Sequence, residues 1–576
     1  MAIIGIDLGT TNSLVCTYKN GTPVFIPNRQ GYILTPSCIS VEGDTIFVGQ
    51  AAKDRLVTNP KDTVASFKRF MATDKKFVLQ GKTFLAKELS SYLVKNLVED
   101  AKAYLNEEID EAIISVPAYF DDEMRRETKE CGKMAGVTVN RVINEPSSGA
   151  LAYSYYHNLD MNTSIVIDLG GGTLDVSVVD YLDTAINIIS VAGDNHLGGD
   201  DFDNCIMNIM KQQLGIADVE TSAKETAILQ SVTWQCKQSL VDIDSQFNYK
   251  FQGERLNGKI EIDGYQIVEA CNDLFNRMYK IINKALYDAN LQYDEIDNVI
   301  LIGGGCKMHA VQAFVSQLFS REIKAGKSCD LYVGMGCGIY AGIRERNQDI
   351  KDYVLADICP FSLGVSIINR LNPSINYFSP IIERNTSLPT SSTRSYTPIN
   401  DQQNSLEFHV LQGDCLIAEE NKELGTIEIP IPPSGNRNVE VTFTYDINGI
   451  LKVTAQNYVN QTTSIVLNNK GISDEEVKDT LQKFSDYKKT DIIEEEIASI
   501  TAKAIQLFEV VNVEDREDIM SIIQHLGQVV NHAQSDVKKR KIIEETNIRL
   551  GKYYNPSVFN YASSFMQMMM ANDDEE

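Results

Sequence analysis

The chain has 576 residues, 43% of them hydrophobic and 23% charged, enough for three or four globular domains. A net charge of -26 argues against a surface for nucleic-acid phosphates, which needs clustered Lys and Arg. The 11 cysteines are scattered without a C-x-x-C pair, a pattern of reduced, buried thiols rather than a disulfide framework. No basic, apolar leader opens the chain and no apolar run approaches about 18 residues, so a cytoplasmic protein without a membrane span is expected.

In chain order, the first feature is a β-branched run ending in Asp7, then Gly9-Thr10-Thr11, then the run Leu14-Val15-Cys16. This reads as a hairpin whose tip brings backbone N–H groups close to an anion, with a carboxylate placed to hold a cation beside it. The turn Asn20-Gly21 and the run Pro23-Val24-Phe25-Ile26 continue an antiparallel meander. Leu85 to Leu105 spaces Leu89, Tyr92, Leu93 and Leu97 as a helix does. Ala112 to Val116 is a buried strand stopped by Pro117, and Asp121-Asp122-Glu123 opens a helix that runs to about Gly136. A strand from Val139 to Ile143 and a helix from Pro146 to about His157 complete an α/β pattern.

The hairpin then recurs. Ile165-Val166-Ile167-Asp168 leads into Leu169-Gly170-Gly171-Gly172-Thr173-Leu174-Asp175 and a second β-branched run. Two copies suggest two similar lobes closing on one polyphosphate and its metal; the bland alternative is two ordinary glycine hairpins. A third glycine cluster, Gly303-Gly304-Gly305, ends the strand from Asn298, and a helix from Met308 to Phe319 comes next, with an N-terminus suited to phosphate or ribose. Asp330 begins a helical stretch punctuated by Gly334, Gly336, Gly338 and Gly342, which implies close packing on a strand below.

Near residue 352 the pattern changes. Val354-Leu355-Ala356-Asp357-Ile358 is too apolar for a plain exposed linker and reads as a segment that docks in one state and is released in another. From there to about 468 the chain is an antiparallel β region, with strands Leu406 to Leu411, Thr426 to Ile431, Val439 to Tyr445 and Ile450 to Ala455. Asn468-Asn469-Lys470-Gly471 breaks it. Ser473-Asp474-Glu475-Glu476 is a capping box, and the remainder reads as helices, with the Met-rich run Phe565 to Met570 as helix packing. The triplets Gly81-Lys82-Thr83 and Gly326-Lys327-Ser328 are not Walker loops, because Lys76 and Arg321 stand where the leading glycine is required.

Six motifs occur in order: Ile6-Asp7-Leu8-Gly9-Thr10-Thr11-Asn12-Ser13, Asn144-Glu145-Pro146, Asp168-Leu169-Gly170-Gly171-Gly172-Thr173, Leu197-Gly198-Gly199-Asp200-Asp201-Phe202-Asp203, Ile302-Gly303-Gly304 and Val410-Leu411-Gln412-Gly413. Together they resemble the 70-kDa heat-shock chaperones, the DnaK-like family, over essentially the whole chain. Asp357 to Val365, Phe378 to Asn385 and the short stretch between Lys68 and Val116 look most like the short bacterial HscC-type branch.

The resemblance implies a multidomain protein: an α/β actin-like two-lobed ATPase domain over 1–352, a linker over 353–358, an antiparallel β-sandwich that binds peptides over 359–470, and a C-terminal α-helical lid over 471–576. It implies ATP, Mg2+ and K+ as cofactors. Asp7, Asp168 and Asp175 would surround the metals, mainly through waters. Gly9, Thr10, Thr11, Asn12, Gly170, Gly171 and Gly172 would hold phosphates. Lys68, Glu145, Asp168 and Thr173 would serve hydrolysis, with Lys68 orienting the attacking water.

Gly198, Gly199, Lys237, Gly303, Gly304 and Asp330 would line the rest of the nucleotide site. There Trp234, Gln238, Val241, Gly305 and Lys307 depart from the family pattern. Trp234 would either stack near the base or belong to a core. Val365, Ile368, Tyr396, Ile399, Leu406 and Phe408 would form the peptide groove; the bland alternative is sandwich core. Arg141, Asn144 and Asp357 would contact a J-domain co-chaperone.

The expected function is an ATP-dependent chaperone for extended apolar segments of unfolded polypeptides, assisted by J-domain and nucleotide-exchange partners. The alternatives are a nucleotide-sensing holdase of very low ATPase activity, motivated by the altered adenine helix, and a small-molecule kinase, which would leave 359–576 unexplained.

Overall fold

The computed structural model describes residues 2–553, apart from 158–160, 254, 348–349, 351–352, 369–374, 401, 460, 467–472, 512 and 534. The break at Asn468 to Gly471, the Met-rich run and the acidic end lie outside the described residues.

The architecture is mixed α/β, and its first part is one plan used twice. In one sheet the strands run in the order Thr138–Asn144, Ile109–Val116, Ala2–Asp7, Asn12–Lys19, Thr22–Ile26. The central strand Ala2–Asp7 pairs antiparallel with its hairpin partner and parallel with Ile109–Val116. In the second sheet the order is Asn298–Ile302, Asn162–Leu169, Leu174–Leu182, Ala185–Asp194. Asn162–Leu169 again has an antiparallel hairpin partner on one side and a parallel strand on the other. Each central strand is buried on both faces, as the successive buried residues Ile4, Gly5 and Ile6 and Ile165, Val166 and Ile167 show.

Two helices, Glu145–His157 and Tyr332–Arg344, share one core with the second sheet and rest on the first. Small residues permit this. A Cβ on Gly334 would lie 1.9 Å from Leu14 Cδ1, one on Gly338 2.4 Å from Cys16 Sγ, and one on Gly149 2.4 Å from Ile302 Cδ1. The glycine helix therefore packs closely on a strand, as its spacing implied. That strand is Asn12–Lys19, from the far end of the chain. The outer face of the first sheet is covered by Ala86–Leu105 and by Asp122–Ala135, whose N-cap Asp121 accepts from Met124 N–H at 3.0 Å.

Val354–Ala356 extends the second sheet, pairing parallel with Ala185–Asp194. Beyond it, two four-stranded antiparallel sheets enclose one core. The strands predicted at Leu406 to Leu411 and Val439 to Tyr445 are observed as Ser405–Gln412 and Val439–Tyr445, with the inward positions Leu406, Phe408, Val410, Val441 and Phe443 buried.

Ser473 caps the helix Asp474–Ser485, donating and accepting with Glu476 as a capping box does. The all-helical expectation for the rest of the chain fails at Lys488–Lys489, a short strand that pairs parallel with Thr45–Val48. Phe484 explains the placement: its ring stacks between Phe84 at 4.9 Å and Tyr92 at 4.3 Å, and Lys483 pairs with Glu88 at 2.6 Å. The helices Ile492–Val510, Val513–His532 and Asp536–Gly551 then share a small core of their own.

Candidate functional site: a carboxylate cleft between two glycine tips

Asp7 and Asp168, at the C-terminal ends of the two central strands, lie close enough for the Asp7 charge to act on Asp168, so both face a common crevice. The tips touch. A Cβ on Gly171 would lie 1.8 Å from Thr11 Oγ1, so only glycine fits where the second tip meets the first. The first tip is held from within its own half: Gly9 N–H donates to Ser13 Oγ at 3.2 Å, and Ser37 Oγ donates to Gly9 O at 2.7 Å. The second is held by the start of the helix Gly199–Gln213, whose Gly199 and Asp200 N–H groups donate to Gly170 O and Gly171 O at 2.9 and 2.8 Å. Gly198 packs on Gly171, where a Cβ would come within 2.5 Å.

Between the tips, Asp7, Glu145, Asp168 and Asp175 gather around one buried cation, Lys68. Lys68 Nζ donates to Glu145 Oε1 at 2.7 Å, is 2% exposed and lies 5.5 Å from the Phe120 ring centroid. Burial, then the Glu145 charge, pushes Asp7 and Asp175 up to about 7 and Asp168 well above the usual carboxylate range. Ser115 Oγ donates to Asp7 Oδ1 at 2.7 Å, and Tyr119 N–H to Asp175 Oδ1 at 3.1 Å. Asp168 Oδ2, Asp175 Oδ2 and Thr11 Oγ1 are buried with no hydrogen-bond partner among the described residues. An excess of buried carboxylates over cations fits a site for a positive ion. Among the described residues no three Asp, Glu, His or Cys side chains converge closely enough to ligate a metal directly. The unpartnered Asp168 and Asp175 oxygens fit a hydrated ion such as Mg2+, which keeps several of its waters.

Gly303, at φ 81°, faces the same carboxylates: a Cβ there would meet Asp168 Oδ1 at 2.6 Å. Gly304 faces open space. Lys307 pairs with Asp330 at 2.7 Å and Lys237 with Asp203 at 2.7 Å. Lys237 Nζ also lies 3.8 Å from where a Gly199 Cβ would stand, which ties this helix end to the second tip. A small cavity of about 20 Å3 beside them is lined by Lys237, Leu240, Ile243, Ile267, Met308 and His309. Trp234 is 39% exposed on Ala223–Ser239, so the core alternative for it is removed.

The sequence matches the family model described as Hsp70 protein over residues 3–570. The chain belongs to the Hsp70 family. Hsp70 proteins as a class are ATP-dependent chaperones that use Mg2+, and no described helix of this Hsp70 is long and apolar enough to cross a membrane.

The other residues singled out fall into two groups in this Hsp70. Asn144 Nδ2 and Ser147 Oγ donate to Asp357 Oδ1 at 3.0 and 2.6 Å, and Arg141 Nη2 lies 3.4 Å from Asp357 Oδ2. Arg141, Asn144 and Asp357 are thus brought together, but buried against one another rather than presented as surface. Of the residues expected to form a peptide groove, Val365, Leu406 and Phe408 lie in the core between the two β-sheets, and Tyr396 packs on Phe408 at 5.4 Å. Only Ile368 and Ile399 project outward, 47% and 45% exposed.

Sequence reasoning missed Ser115 and the backbone of Tyr119 as supports for the carboxylates. Ser115 carried a signal, a polar residue inside the apolar run Ala112 to Val116. A backbone N–H carries none.

Proposed function

We propose that this chain is an ATP-hydrolysing chaperone whose two glycine tips hold the triphosphate and whose residues 1–352 form an actin-like two-lobed ATPase domain. The observation that carries the reading is the contact between Thr11 and Gly171 directly beside a cluster of carboxylates gathered around Lys68. Bound magnesium ATP would supply the phosphoanhydride bond and the positive charge that the carboxylates call for. Asp7, Asp168 and Asp175 would hold the hydrated Mg2+, with K+ beside it, and Gly9 to Asn12 and Gly170 to Thr173 would position the phosphates. Lys68, fixed by Glu145, orients the water that attacks, with Glu145 and Thr173 completing its surroundings. Catalysis of this kind is positioning and charge placement rather than covalent chemistry. Gly198, Gly199, Lys237, Gly303, Gly304 and Asp330 would take the nucleoside end.

The coupling rests on the contacts of the later segments. Residues 353–358 act as the linker: Val354–Ala356 is docked on the second sheet, and Asp357 is locked by Asn144, Ser147 and Arg141. Leu451 N–H donates to Asp122 Oδ1 at 3.2 Å and Lys422 pairs with Asp121 at 2.7 Å, so residues 359–470, the peptide-binding sandwich, rest on the N-terminus of a helix from the ATPase domain. Residues 471–576 are the lid, of which the helix Asp474–Ser485 is docked on the first sheet's layer through Phe484. Release of Asp357 and Phe484 on hydrolysis would free sandwich and lid to close on an extended apolar peptide. A J-domain co-chaperone acting at Arg141, Asn144 and Asp357, an exchange factor and a cytoplasmic setting complete the proposal.

The test is ATP turnover by the full chain with and without an extended apolar peptide. Stimulation is expected. Lys68→Ala should cut hydrolysis by about 100-fold or more while nucleotide still binds; undiminished hydrolysis would overturn the assignment. The holdase alternative is kept by one observation, the exposed Trp234 at the altered nucleoside end, and binding without turnover in the same assay would favour it.

A further inference from the structure

The turn that carries Lys68 is fastened to the opposite wall of the cleft. Phe67–Phe70 is a single 3-10 turn. Just before it, Ser66 sits in the left-handed region at φ 52°, a conformation that must be held from outside, and its Oγ donates to Asp200 Oδ2 at 3.0 Å. On the other side of Lys68, Arg69 Nη2 donates to Asp201 Oδ2 at 3.0 Å, and its Nη1 lies 3.9 Å from Asp200 Oδ2. Lys68, between these two anchors, points back to Glu145.

Both aspartates also hold the second glycine tip. Asp200 N–H donates to Gly171 O at 2.8 Å, and Asp201 Oδ2 accepts from Gly198 N–H at 2.8 Å. The Arg69 stem fills the space beside Gly172, where a Cβ would lie 2.7 Å from Arg69 Cδ. One pair of carboxylates thus fixes the distance between the Lys68 turn and the tip that comes after Asp168. The Arg69 guanidinium is largely enclosed, at 15% side-chain exposure, so solvent screens this pair less than an open surface bridge.

We propose that Arg69, assisted by Ser66, is a positioning residue that registers Lys68 against the second glycine tip, so that the lysine reaches its working place only when the two halves are closed. The proposal rests on the reading of the cleft as an ATP site. It differs from a simple stabilising bridge in what it should change. A bridge that only holds the halves together would alter nucleotide affinity and melting temperature in step with turnover. A positioning residue alters the chemical step at saturating nucleotide and leaves affinity nearly as it was.

Single-turnover ATP hydrolysis and fluorescent-ATP affinity, measured on the full chain, separate these. Arg69→Ala should slow single turnover roughly 10- to 100-fold with affinity held within about threefold. Arg69→Lys, which keeps the charge but not the fork, should recover part of the loss. Ser66→Ala should show a smaller loss of the same kind. Wild-type turnover in Arg69→Ala would overturn the role, as would a parallel fall in affinity and turnover with no recovery in Arg69→Lys. Failure of the wild-type chain to bind ATP would instead remove the nucleotide reading, and this role with it.

Discussion

The two hairpin tips share a topology and differ in what shapes them. The first is supported from within its own half: its glycine is required by Asn12 O, which a Gly9 Cβ would meet at 2.0 Å, and Ser13, Ser37 and Ser115 hold its backbone and Asp7. The second is shaped from across the cleft and by the helix after it. Gly171 faces Thr11, Gly172 faces Arg69, and Gly198 packs on Gly171. Asp168 keeps a buried oxygen with no described partner, whereas Asp7 has Ser115. The contrast teaches that the glycine-rich triplet serves close approach between halves, while the single glycine serves a local turn.

Gly171→Ala should break this comparison hardest, because the added methyl overlaps Thr11 and forces the tips apart. Hydrolysis should fall by about 100-fold, since displacement of reacting groups by about 1 Å costs on that order. Gly304→Ala, with nothing within 4 Å of the new methyl, should change the melting stability by less than about 0.5 kcal/mol. Paired single-turnover and thermal-melt measurements check both.

The carboxylates sharpen the comparison next. Asp7 and Asp175 sit at about 7 because burial and then the Glu145 charge oppose their ionisation, against an ordinary value near 3.8. The folded, metal-free protein therefore binds protons that the unfolded chain has released. The stability that these two carboxyl groups contribute is fully present below about pH 4 and is lost as pH rises through about 7. Asp175→Asn should remove part of that decline and stabilise the metal-free protein by about 1 kcal/mol at pH 8, while weakening Mg2+-dependent turnover. Mg2+ competes with those protons, so the thermal shift produced by Mg2+ and nucleotide should grow between about pH 6 and 8. A flat response would place the cation elsewhere.

The smallest effect concerns which half carries the terminal helices. They rest mainly on the first: Phe484 on Phe84 and Tyr92, Lys489 on Glu99 at 2.5 Å, and Arg29 on Glu495 at 3.4 Å. Burial pushes Glu495 up to about 7 although Arg29 acts against it. Its docked form therefore favours the proton, and the docking of Ile492–Val510 should weaken as pH rises through about 7. Glu495→Gln should flatten that dependence, a change of no more than about 1 kcal/mol, read by hydrogen exchange across the helix.

Much of the cleft was legible before any fold was known. A β-branched run, an aspartate and a glycine tip are contiguous, so Asp7, Asp168 and both hairpins could be read locally. Ser66, Arg69 and Ser115 could not be assigned, because each acts on a residue distant in sequence. Lys488–Lys489 could not be read as a strand, because two lysines show no period and the pairing is supplied by Thr45–Val48. Leu406 and Phe408, expected to line a groove, alternate whether the inward face meets a ligand or a second sheet, and here that face is buried in the core between the sheets.

By itself, the order of residues determined the elements, their repetition and the family, since hydrogen-bonding period, turn chemistry and motif spacing are properties of short stretches. Only the tertiary structure decided that the two tips meet at Thr11 and Gly171 and that the carboxylates converge on one lysine. Distance between remote side chains is set by how the helices Glu145–His157 and Tyr332–Arg344 pack between the sheets, and local sequence does not encode that separation.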